Sequence, residues 1–224
     1  MSWVLDNLDL IWSLTVDHLR QSAIAVVAGF VIAVPIGWLA FRYTTLRGTV
    51  LTIVGLLYTI PSFALFPLIT ALFGIPTLSE ANLIIALAIY AVAIMTRSVT
   101  EGLDSVDEVT RSAAVAVGYG PWRRFWTVDF PLGGPVILAG LRVTAMSTIS
   151  LATVGALIGV QNLGYLFTNG SQRRIVAEVF SGVVAVVVIA VVIDGLLMLA
   201  GRALMPWTRR AAPPRAARLR AVAA

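Results

Sequence analysis

Asp104-Ser105-Val106-Asp107-Glu108-Val109-Thr110-Arg111-Ser112-Ala113-Ala114-Val115-Ala116-Val117-Gly118-Tyr119-Gly120-Pro121-Trp122-Arg123-Arg124-Phe125-Trp126-Thr127-Val128-Asp129-Phe130-Pro131 is a polar stretch in a chain otherwise apolar enough for a bilayer. Its Asp104, Asp107, Glu108, Arg111, Arg123, Arg124 and Asp129 are about a quarter of the chain's 16 basic and 11 acidic side chains. The spacing predicts a short helix over residues 106–117. Asp104 or Ser105 can cap its start, and Asp107 and Glu108 suit its positive first turn. Ala113, Ala114 and Ala116 make one face slim, so another surface can approach closely. Gly118 and Gly120 can take the left-handed conformation that ends a helix. Pro121 suits the first position of a second short helix, which sets Trp122, Phe125 and Trp126 along a membrane interface. The expected shape is helix, glycine turn, helix, lying on the membrane surface.

The flanking sequence explains why this piece stands out. Of 224 residues, 59% are hydrophobic and 12% charged, against about 25% charged in soluble proteins. The chain is an integral membrane protein, long enough for about five or six helices of about 20 residues, with no room for an ATPase or ligand-binding domain. There is no lysine, so no phosphate-binding P-loop. No cysteine is present, which excludes disulfides and thiolate metal sites, and the single His18 argues against a histidine metal site, so no metal is expected. The net charge of +5 comes from arginines between and after apolar segments. Membrane orientation explains them better than nucleic acid.

Taken in order, residues 1–18 read as an interfacial segment, with Trp3, Leu8 and Trp12 apolar and Asp6, Asp9 and Asp17 between them. The aspartates argue against a signal peptide. Span one is expected at residues 19–41, with Pro35 and Gly37 as kink points. Span two, residues 48–73, is interrupted by Thr59-Ile60-Pro61-Ser62. Pro61 cannot donate a helix hydrogen bond, and irregular backbone at membrane depth needs protein or a water-filled cavity around it. Tyr58, Thr59, Pro61, Ser62 and Phe63 are therefore candidates to line a pathway; a packing kink is the alternative. Span three is expected at residues 81–96, followed by Arg97. Span four, residues 132–160, carries Thr144, Ser147, Thr148, Ser150 and Thr153, read as helix-packing hydroxyls ahead of a polar route. A polar loop, residues 161–174, precedes span five at residues 177–204. Residues 205–224 form a basic tail expected near anionic lipid heads.

Two charges fall inside spans. Counted from the same side at about 1.5 Å per residue, Arg142 and Asp194 lie at depths that agree within about 3 Å. Buried membrane charges are usually paired, so an ion pair or shared cavity is expected, structural in preference to a proton relay. Alternating the loops gathers most arginines on one side, which is then cytoplasmic. That places the N-terminus outside, and the C-terminus and residues 104–131 in the cytoplasm. Arg173 and Arg174 are the exception on the outer side.

The polar stretch resembles the coupling loop of ABC importer permeases. That family's pattern is Glu-Ala-Ala, three residues, Gly, nine residues, then Ile-x-Leu-Pro. Ala113-Ala114, Gly118 and Val128-x-Phe130-Pro131 match it, and Ser112 stands where the pattern has Glu. The resemblance implies contact with an ATPase through Arg111, Ser112, Ala113, Ala114, Gly118, Tyr119 and Gly120. Read without it, the stretch could be an amphipathic helix with no partner. Tyr58-Thr59-Ile60-Pro61-Ser62, Ala139-Gly140-Leu141-Arg142, Thr153-Val154-Gly155-Ala156-Leu157-Ile158-Gly159 and Asn162-Leu163-Gly164 are similar to permeases of compatible-solute importers, the betaine, carnitine, choline and proline group. The likeness covers about residues 18–204. It implies an all-α membrane protein with about five core transmembrane helices of the methionine-importer-permease type, plus the N-terminal interfacial helix. It implies a second permease subunit, identical or paralogous, two ATPase subunits that use ATP and Mg2+, and an extracytoplasmic solute-binding protein. The chain itself would be a transport subunit without a cofactor. An amino-acid importer, for methionine for example, and a stand-alone transporter or channel are the rival readings.

Overall fold

Ser22, Ala25, Gly29, Ala33, Gly37 and Ala40 recur at helical spacing and lie buried along one face of α2 (Leu8–Arg42). This small-residue stripe lets α5 (Glu80–Asp104) pack against it backbone to backbone, the most extensive helix contact in the protein. The opposite face of α5 meets α8 (Phe130–Ala152) just as closely: a Cβ added to Gly133 would sit 2.5 Å from the Gly102 carbonyl oxygen. Thus α5 is the central helix, with α2 and α8 on either side. The computed structural model describes residues 2–210; Met1 and the expected tail beyond residue 210 lie outside the described residues.

The N-terminal piece is α1 (Ser2–Asp6), and α2 passes residue 18 without a break. At 35 residues, α2 runs about 52 Å, more than the ~30 Å hydrocarbon core. Trp3, Leu10, Ile11 and Leu14 cluster with Leu163, Leu166 and Ile189, partners that sequence periodicity alone could not name.

Proline interrupts span two as its chemistry requires. α3 (Thr44–Thr59) and α4 (Ser62–Phe73) meet at Ile60-Pro61 with a bend of 109°. The pair still crosses the protein. Arg47 near the start of α3 pairs with Asp104 at the end of α5, at 2.5 Å, while Asn82 at the start of α5 donates to the Phe66 carbonyl in α4, at 3.1 Å. Four helical segments are long and apolar enough to cross a membrane, and this bent pair, counted as one span, makes a fifth.

Two expected boundaries shift. The third crossing runs to Asp104, so Arg97 sits within the helix and not in a loop after it. Beyond α6 (Glu108–Ala116), the expected separate second helix is not separate. α7 (Pro121–Arg124) continues through a π-helical turn, Phe125–Asp129, into α8, so that one helical segment spans Pro121–Ile158. Its last turn, Thr153–Ile158, tightens to 3-10 geometry and ends at Gly159, φ 76°. The polar loop folds into α9 (Gly164–Gln172), and α10 (Val176–Leu204) completes the bundle.

Candidate functional site

α6 is held to the bundle by one buried carboxylate. The π-helical turn rotates Asp129 inward, where its side chain is 1% exposed. Asp129 accepts from Arg111 Nε at 3.2 Å and from Arg124 Nε at 3.0 Å. Arg111 also donates to the Leu103 carbonyl at the end of α5 and lies over the Phe41 ring of α2, 4.6 Å from its centre. Helices α2, α5, α6 and α8 therefore meet around this charge cluster. Arg111 thus turns toward the core, with its side chain 12% exposed.

The start of α6 is capped by Asp107, which accepts from the Val109 amide at 3.2 Å; the expected caps, Asp104 and Ser105, belong to the end of α5 and the turn after it. Gly118 adopts φ 87°, the left-handed conformation expected of it. Gly120 does not; its φ of -68° makes it the residue that leads into α7. Ala114 faces the protein, whereas Ser112, Ala113 and Ala116 face out, beside Val109 at 74% and Val117 at 73% exposed. Tyr119 is partly covered by the Arg123 guanidinium, 4.3 Å above its ring. The outward face of α6 thus mixes small and apolar side chains with the exposed Glu108, Thr110 and Ser112. Of the aromatics expected along an interface, Trp122 and Trp126 are exposed, but Phe125 is buried against Trp38.

The bend at Pro61 leaves Tyr58 and Phe63 exposed, and the Tyr90 hydroxyl donates to the Ile60 carbonyl, which is out of the helix ladder because the Ala64 N–H donates to Pro61. Of the five pathway candidates, Tyr58 lines a groove of about 410 Å³ between α3, α5 and α8; Thr59, Pro61, Ser62 and Phe63 do not. Arg97, Ser98, Glu101 and Ser147 line the same groove. The hydroxyls of span four divide accordingly: Thr144 and Thr148 are buried in helix packing, and Ser147 faces the groove.

Arg142 and Asp194 meet, with Nε donating at 2.6 Å and Nη2 at 2.7 Å to the two carboxylate oxygens. At the end opposite α6, Arg20 pairs with Glu80 at 2.5 Å. Asn162 donates to Gln21 at 3.1 Å and to the Ala152 carbonyl at 2.8 Å, tying the Asn162-Leu163-Gly164 turn to α2 and α8. Glu178, fully buried, accepts from Asn169 at 2.8 Å. Sequence reasoning passed over Arg97, Glu101, Asp129 and Glu178 as site residues. The absence of any proline between Thr96 and Asp104 was the available signal for the first two; nothing local marked the others.

Comparison with known proteins gives this geometry a setting. Residues 25–210 match the family described as binding-protein-dependent transport system inner membrane component. The chain is 34% identical to the osmoprotectant import permease protein OsmW of Salmonella typhimurium strain LT2, covering 87% of this chain and 92% of that protein. It is 32% identical to the choline transport system permease protein OpuBB of Bacillus subtilis strain 168, over 86% and 87% of the two chains. Its fold is similar to a chain of the MetNI methionine ABC transporter in an inward-facing conformation, with TM-score 0.81 at 20% identity, covering 89% of this chain and 98% of that one. The bent second crossing, the outward face of α6 and these relationships agree: the chain belongs to the family of inner-membrane components of binding-protein-dependent transport systems, the permeases of ABC importers.

Proposed function

We propose that this permease imports compatible solutes, namely glycine betaine, choline, carnitine or proline. It forms the pathway with a second permease subunit, identical or paralogous. Two separate ATPase subunits, which bind ATP and Mg2+, dock on the exposed face of α6, and an extracytoplasmic solute-binding protein delivers the solute. The N-terminus lies outside, and α6 and the C-terminus lie in the cytoplasm. The observation that carries the solute class is kinship at 30–34% identity, over 86–87% of this chain, with permeases named for osmoprotectants, choline, glycine betaine and carnitine. The mechanical part rests on the way α6 is built. Its small exposed side chains, Ser112, Ala113 and Ala116, offer a partner a close approach, while Arg111 and Asp129 on its inner side join it to the ends of three crossing helices. A partner that moves on one side would tilt the spans on the other.

Labelled glycine betaine uptake into vesicles holding the complete complex, with and without internal ATP, tests this reading. Uptake should require ATP and be lost in Gly118→Trp, because a Trp at φ 87° is strained and its bulk stands beside the docking face. Uptake that continues without ATP would overturn the reading in favour of a stand-alone transporter. ATP-dependent import of methionine in place of any of the four solutes would overturn the solute class.

A further inference from the structure

Arg97 and Glu101 lie one helical turn apart on α5, inside a membrane-crossing helix, and both are exposed. Among the described residues neither forms an ion pair or a side-chain hydrogen bond. By contrast, Arg142 has Asp194 and Glu178 has Asn169. Charged side chains at such depth face water or protein, because hydrocarbon does not solvate them. A groove that carries both is therefore one that water reaches. At four residues apart their Cβ atoms are separated by about 6 Å, near enough to pair, yet the two side chains do not meet in this structure and both charges stay open to a small ligand. Tyr58 stands at one end of the groove with half its surface exposed and its ring edge-on to Tyr90, centroids 5.9 Å apart. Ser98 and Ser147 supply hydroxyls along the wall, and the volume of about 410 Å³ suits a small molecule.

We infer that this groove is a transit site for a zwitterion: Arg97 takes a carboxylate, Glu101 takes a quaternary ammonium, and Tyr58 offers its ring face to the ammonium methyls on the way in. The inference rests on the proposed function and narrows it, since a solute carrying both charges satisfies the groove and a cation alone leaves Arg97 unpaired. A guanidinium binds a carboxylate through paired N–H donors, and an aromatic face attracts an alkylammonium, so each group has its chemical complement. No covalent step is involved. The solute is held weakly and released.

The chain has no cysteine, so Ser147→Cys makes a clean reporter in the groove. In the complete complex in nanodiscs, a water-soluble anionic thiosulfonate should label it readily. Glycine betaine at about ten times its Kd should slow labelling about tenfold, and tetramethylammonium at equal concentration should not. Protection should vanish in Arg97→Gln and persist in Arg97→Lys. Failure to label, labelling that betaine leaves unchanged, equal protection by tetramethylammonium, or protection that survives Arg97→Gln would each overturn the site. ATP-driven uptake measured on the same samples separates the two claims. Uptake without protection removes the site and keeps the proposed function, whereas protection without uptake keeps the site and removes the proposed function.

Discussion

Arg142 and Asp194, 52 residues apart in the chain, show how a single residue's position constrains its partner. A lone charge in a span is unfavourable, and two at one depth on adjacent helices relieve each other. Arithmetic on span lengths was enough to bring them together on paper, because helical rise per residue is nearly constant. Glu178 is the contrasting case. It stands in the first turn of α10, where an acidic residue is unremarkable, yet it is completely buried because α9 folds over it. At this scale we expect Arg142→Leu and Asp194→Leu each to lower the melting temperature of the purified complex. The double leucine variant should recover most of the loss, since removing both charges leaves no unpaired one behind. A double variant as unstable as the worse single one would show that the pair's value lies in something besides mutual neutralisation.

At the scale of elements, the linkage between α6 and α8 carries the mechanical argument. The polar stretch, its glycine turn and the proline that follows were legible, because capping and left-handed turns depend on residues a few positions apart. The π-helical turn was not. It rotates Asp129 into the core, and that placement reflects what Arg111 and Arg124 offer on neighbouring elements. Asp129→Ala leaves two guanidinium groups without their carboxylate and should destabilise the local arrangement by about 3–5 kcal/mol. Hydrogen exchange in residues 105–124 should rise in this variant while that of α5 stays slow. With α6 loosened, uptake per ATP hydrolysed should fall. Unchanged exchange would remove Asp129 as the anchor. The break at Pro61 was legible for the same local reason, but the groove it borders draws one wall each from α3, α5 and α8, and only Tyr58 of the five candidates reaches it.

At the scale of the whole molecule, arginine distribution gives a direct prediction of topology. Most arginines of the described residues lie toward the α6 end, and Arg173 and Arg174 form the exposed turn between α9 and α10 at the other. In the cysteine-free chain, a membrane-impermeant thiol reagent applied to intact cells should label Arg174→Cys and leave Val115→Cys unlabelled until the membrane is opened. The reverse pattern would invert the orientation and place α6 on the wrong side for any ATP-dependent partner.

The amino-acid sequence by itself determined that this is a helical membrane protein with about five apolar spans, that the second span breaks at Pro61, that a short polar helix and a glycine turn at Gly118 follow the third span, and that Arg142 and Asp194 meet. Each follows from composition, spacing or the covalent limits of proline and glycine, which act within a few turns of chain. The tertiary structure alone decided that Arg111 points inward, that Phe125 is buried, that Pro121–Ile158 is one helical segment, and that Arg97 and Glu101 border a groove. These depend on how far each helix is rotated about its axis and on which neighbour it meets. Rotation is set by close packing of small residues such as Gly102 against Gly133, between segments far apart in sequence, where local periodicity gives no preference among partners.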